Sequence, residues 1–135
     1  MRALNKFIVF SGFLFLALFF WRLNVLLFYN DGGISLLREL TGLTIHHYHY
    51  GLLIVLMASL LIIFFRNGLF SVGLMGFGLG SVFDSFISRL FRNSGRMGEI
   101  INYNNAIIPT TILFFIIVLM AGIFCLMESK NRKSL

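Results

Sequence analysis

Gly51-Leu52-Leu53-Ile54-Val55-Leu56-Met57-Ala58-Ser59-Leu60-Leu61-Ile62-Ile63-Phe64-Phe65 is an uncharged, almost wholly apolar run. It has the length and composition of a segment that crosses hydrocarbon as a helix, for which about 20 predominantly apolar residues are needed. Arg66-Asn67-Gly68 ends the run with a short polar turn, and a second apolar stretch follows to Leu90, interrupted by Asp84. So short a turn makes the two stretches an antiparallel helical hairpin. Further out, Phe7 to Trp21 is uncharged and Tyr103 to Met127 is apolar, with Pro109 in the first turns, where a missing N–H costs little. The expected fold is therefore all-α, a four-helix transmembrane bundle in one domain covering 1–135. The spans fall at about 6–23, 45–65, 68–90 and 103–127, with a polar, basic tail at 128–135.

Composition agrees. The chain has 135 residues, of which 59% are hydrophobic and only 12% charged, and its mean hydropathy is +0.92. A soluble domain carries about 25% charged residues, and so small a chain lacks the interior to hide this excess of Phe, Leu and Ile. Soluble enzymes, coiled coils, disordered tails and disulfide scaffolds are excluded. The net charge of +6 does not indicate nucleic acid, because Lys and Arg at the ends of spans set topology and meet anionic lipid headgroups. The partners expected are the bilayer itself, those headgroups, and a second copy or another membrane protein. The single cysteine, Cys125, lies in an apolar run and reads as a small buried hydrophobe.

The first run is not followed by a small-residue cleavage site and is read as a retained helix, with Trp21 and Arg22 at headgroup level. Between the first two spans, Asp31-Gly32-Gly33 signals a turn, and Leu36, Leu37, Leu40 and Leu43 recur at helical spacing. A short interfacial helix within Asn30 to Leu43 is expected there. Four crossings put both termini on one side. Arg2, Lys6, Arg66, Lys130, Arg132 and Lys133 then nearly balance Arg22, Arg38, Arg89, Arg92 and Arg96 on the other. The basic tails favour a multi-pass protein of the cell membrane with cytoplasmic termini.

Laying the spans antiparallel gathers the polar residues at one end. Asp84 lies roughly 24 Å from the Arg66 turn at 1.5 Å per residue. At that same level the second span begins with Thr44-Ile45-His46-His47-Tyr48-His49-Tyr50-Gly51, the fourth with Glu99, Asn102, Tyr103, Asn104 and Asn105, and the first ends with Arg22 and Asn24. Gly73, Gly76 and Gly80 form a stripe of small residues that continues to Asp84 and Ser88. Small residues let helices approach closely in lipid, so this stripe faces protein. A carboxylate in a span costs about 2.5–3.5 kcal/mol and marks a functional candidate with a partner.

Imidazole with carboxylate suits zinc, iron, copper or manganese, and equally a proton relay. His46 and His49 are three residues apart on one helix face, whereas His47 points about 100° away from His46. A metal site built from His46, His47 or His49 with Asp84, and with Glu99 or Tyr103 in support, is one reading. A structural or accessory membrane subunit in which Asp84 pairs with a histidine or with Arg89 is the alternative, and a proton relay or transporter element is a third. The Arg66 half of the second and fourth spans offers almost no polar lining for a path across the membrane. Ser81, Ser85 and Ser88 lack a nucleophile-elbow turn, and the Gly76-Phe77-Gly78-Leu79-Gly80 run has no lysine to make a phosphate loop.

The segment Ile45-His46-His47-Tyr48-His49-Tyr50-Gly51, with Gly78-Leu79-Gly80 and Asp84 one helix later and a tyrosine at the start of the last span, resembles an uncharacterised family of small prokaryotic polytopic membrane proteins. That family begins one span with a His-Ile-His-His-Tyr type sequence and ends a Gly-rich span in Asp-Glu. The resemblance covers Thr44 to Thr111 and implies site roles for His46, His47 and Asp84. Thr44 stands where the family's first His would be and Ser85 where its Glu would be, so two potential metal ligands are missing. The resemblance supplies no activity.

Overall fold

The computed structural model describes residues 3–28, 47–65, 68–91 and 101–131. Four long helices form there: α1 (Ala3–Phe28), α2 (His47–Phe65), α3 (Leu69–Arg89) and α4 (Ile107–Asn131). A short helical segment, 101–105, precedes α4, and no strand occurs among the described residues. All four long helices are long and apolar enough to cross a membrane. The chain is an all-α, multi-pass helical membrane protein. The expected interfacial helix between Asn30 and Leu43 lies outside the described residues.

Observed boundaries differ from the expected ones where local chemistry explains it. Helix α1 does not stop at Leu23; Val25-Leu26-Leu27-Phe28 carries it one further turn, so Trp21 and Arg22 lie inside a helix and not at its end. Helix α4 runs through Glu128 and Ser129 to Asn131, where a polar tail was expected, because Glu and Lys are good helix formers and Lys130 sits at the favourable C-terminal end of the dipole. At its start, a turn at Ala106 separates 101–105 from α4. Pro109 has no N–H to give the carbonyl of Asn105 and its ring crowds that group. Bonds from Ala106 N–H to Asn102 O and from Thr110 N–H to Ala106 O, both 2.9 Å, carry the chain through the break.

Helix α3 is the centre of the bundle. In its apolar window 44% of residues are buried, against 11% in each of the other three, and α1 and α2 both pack along it. Two small-residue faces make this possible. On one, a Cβ at Gly76 would collide with the backbone carbonyl of Phe10, and one at Gly80 would lie 2.7 Å from the carbonyl of Leu14 and 2.8 Å from Cβ of Ala17. On the other, a Cβ at Gly78 would come within 2.9 Å of the Val55 backbone nitrogen, and one at Gly51 within 2.8 Å of the Gly78 carbonyl. The stripe expected at Gly73, Gly76 and Gly80 thus faces α1, and a second contact, Gly51 against Gly78, seats α2. Helix α4 lies mainly on α1, where Phe114 is buried and its ring meets Phe15 at 5.9 Å. The outward faces carry exposed Leu53, Ile63, Phe64, Phe115 and Leu119, the surface that acyl chains cover. Cys125 is half-buried with a free thiol.

Candidate functional site: a buried ion pair joined by all four helices

Each helix delivers one or two polar groups to the end of the bundle where α1 and α3 approach their C-termini. On α3, Asp84 falls one turn beyond Gly80 on the face turned to α1, and it is fully buried. On α1, Ala17 packs at Gly80, so the next turn brings Trp21 and Arg22 level with Ser81 and Asp84. Arg22 Nη2 lies 2.7 Å from Asp84 Oδ1, and Arg22 Nε donates to the same oxygen at 2.9 Å. The partner of Asp84 is therefore Arg22 and not Arg89, whose guanidinium lies over the Tyr48 ring at 4.7 Å.

Arg22 makes further contacts through its terminal nitrogens. Nη1 donates to the backbone carbonyl of Tyr103, Nη2 reaches Thr110 Oγ1 at 3.5 Å, and the guanidinium sits 4.6 Å from the centre of the Tyr103 ring. The second carboxylate oxygen, Asp84 Oδ2, accepts from the Tyr103 hydroxyl at 3.2 Å and lies 3.3 Å from His47 Nε2. The Tyr103 hydroxyl also contacts the His47 imidazole. Behind these groups Trp21 stacks on His47, and its indole N–H donates to Ser81 Oγ at 2.7 Å. Ser81 Oγ donates in turn to the Phe77 carbonyl at 2.9 Å.

Of the sequence-derived candidates, His47 and Asp84 come together. His49 does not join them; it is exposed and its ring lies against Tyr48 at 3.8 Å. At 100° per residue a helix cannot turn both His47 and His49 toward α3. His46 and Glu99 lie outside the described residues. Among the described residues no three His, Cys, Asp or Glu side chains group to hold a metal ion. Arg22, Trp21 and Thr110 were not among the expected site residues, and Tyr103 only in support.

The arrangement places one carboxylate and one guanidinium in a low-dielectric setting, where isolated ions are costly and a fully hydrogen-bonded pair is tolerated. Both oxygens of Asp84 are shared among groups of the chain itself, and the pair is electrically neutral. No protein-family model matches the chain, and neither a curated protein nor a solved structure matches it.

Proposed function

We propose that this chain is a structural or accessory membrane subunit, in which the network of Arg22, Asp84, His47 and Tyr103 fixes the arrangement of four helices that lipid alone would not order. One observation carries this reading: Asp84 Oδ1 takes two bonds from Arg22, while Oδ2 is shared by Tyr103 and His47. Apolar helices gain nothing from hiding their faces from lipid, so close packing and interhelical polar contacts must specify the bundle. The buried pair does this as a register device. On this reading the partner is another membrane protein or a second copy, in the cell membrane with both termini cytoplasmic. Crosslinking in native membranes tests it. A defined crosslinked product is expected, and a chain that stays monomeric while holding one metal per chain overturns the proposal.

A second reading, a transition-metal site for zinc, iron, copper or manganese, is favoured by a different distance. His47 Nε2 and Asp84 Oδ2 are 3.3 Å apart, close to the edge of a tetrahedron whose metal–ligand bonds are about 2.0–2.1 Å. His46 and Glu99 would have to complete such a site. Elemental mass spectrometry on the untagged protein and on Asp84→Ala separates the two readings. A metal near one per chain, lost in the variant, selects the metalloprotein.

A further inference from the structure

We propose that Tyr103 is an internal pseudo-ligand, and that the groups it covers form a binding site for a hydroxylated phosphodiester, the chemistry of a phosphatidylglycerol-type lipid headgroup. This goes beyond the accessory-subunit reading and does not depend on it.

Tyr103 touches the cluster through two oxygens of different character. Its hydroxyl donates to Asp84 Oδ2 and contacts His47, and its backbone carbonyl accepts from Arg22 Nη1. An incoming molecule that replaced it would need a hydroxyl for the carboxylate and imidazole, and an acceptor oxygen, preferably anionic, for the guanidinium. A glycerol hydroxyl beside a phosphodiester supplies both. Arg is the cation best suited to phosphate oxygens, because its donors form a fixed fork.

Placement agrees with this chemistry. The cluster lies at one end of the spans, where headgroups are, and the cation of Arg89, five residues beyond Asp84 and set over the Tyr48 ring, stands at the same end of α3. Tyr103 itself is not on a transmembrane helix. It belongs to the short segment 101–105, joined to α4 through the turn at Ala106, so its release requires breaking the Ala106 N–H to Asn102 O bond but no bond within α4. Arg22 keeps a small exposed fraction, 17%, whereas Asp84 has none. A ligand would therefore meet the guanidinium first.

The probe is the full chain in detergent, titrated with phosphatidylglycerol or phosphatidylcholine and read by native mass spectrometry, with the emission of Trp21, the only tryptophan, as a second signal. Tyr103→Phe keeps the ring over Arg22 and the backbone carbonyl but removes the competing hydroxyl. It should bind phosphatidylglycerol roughly three- to tenfold more tightly than the wild type, the worth of one released hydrogen bond, with phosphatidylcholine unaffected. Competition by free glycerol phosphate would make the headgroup sufficient, and binding that resists it would show that the acyl chains are needed; each supports the site. Equal affinity for the two lipids, or no gain in Tyr103→Phe, overturns it. Should that variant fail to fold, the wild type decides: a saturable Trp21 response to phosphatidylglycerol that phosphatidylcholine does not give sustains the proposal, and its absence ends it.

Discussion

Trp21 and His47 lie almost parallel, with ring centroids 4.7 Å apart and planes 19° apart, while the Trp21 indole N–H is held by Ser81. Three helices thus meet at one aromatic plane beside the ion pair. The chain's single tryptophan consequently reports on the cluster.

Ser81→Ala removes the acceptor for the buried indole N–H. A loss of about 1–3 kcal/mol is expected, the cost of an unsatisfied buried donor, together with a shift of Trp21 emission to shorter wavelength. Steady-state fluorescence during detergent-monitored unfolding measures both. An unchanged spectrum would mean that Trp21 does not sit where Ser81 can reach it.

Removing one member of the ion pair should cost far more than removing both. Asp84→Leu leaves the Arg22 guanidinium without its carboxylate and is expected to destabilise the bundle by about 3 kcal/mol. The double variant Arg22→Met with Asp84→Leu should recover most of that loss, because apolar replacements of a buried pair are often neutral. A double-mutant cycle on unfolding free energies gives the coupling directly. Additive losses would show that the two side chains do not meet.

Glycines of this chain are not equivalent. A Cβ at Gly76 runs into the Phe10 backbone, whereas one at Gly12 meets nothing within 4 Å. Gly76→Ala should separate α1 from α3 at a cost of about 1–3 kcal/mol. Gly12→Ala should be neutral or stabilising by up to about 1 kcal/mol, since alanine is the better helix former. Melting temperatures of the two variants in one detergent make the comparison.

On the accessory-subunit reading, chelators have nothing to remove. Incubation with EDTA followed by heating should leave the melting temperature of the wild type where it was. A fall restored by zinc or another transition ion would instead assign His47 and Asp84 as ligands, since loss of a bound metal lowers stability by mass action.

Much of this architecture is readable from residues. Uncharged runs place the spans, and the stripe through Gly73, Gly76 and Gly80 turns Asp84 toward protein, as the contacts with Phe10, Leu14 and Ala17 bear out. The sequence leaves the choice of His47 over His49 open, because helical spacing pairs His46 with His49 and only the family resemblance points to His47. In the structure the choice follows from Gly51, which is four residues after His47 and therefore on its face, and which packs directly against Gly78 of α3. Arg22 was harder to read. Helix α1 is apolar all the way round, so its composition does not reveal its rotation about its own axis, and an arginine near the end of such a run reads as a topology signal. Only the small side chain of Ala17, one turn before Trp21, hints at the face that packs.

The ion pair also sets an order of events. Arg22 and Asp84 are 62 residues apart in the chain, and at a synthesis rate of about 5–20 residues per second the arginine exists for roughly 3–12 s before its carboxylate does. During that interval the first helix carries an unneutralised cation, which keeps its end drawn toward water and phosphate. The α1–α3 contact is thus closed only after the third helix has been made, and until then the Arg22 cation is held without its carboxylate.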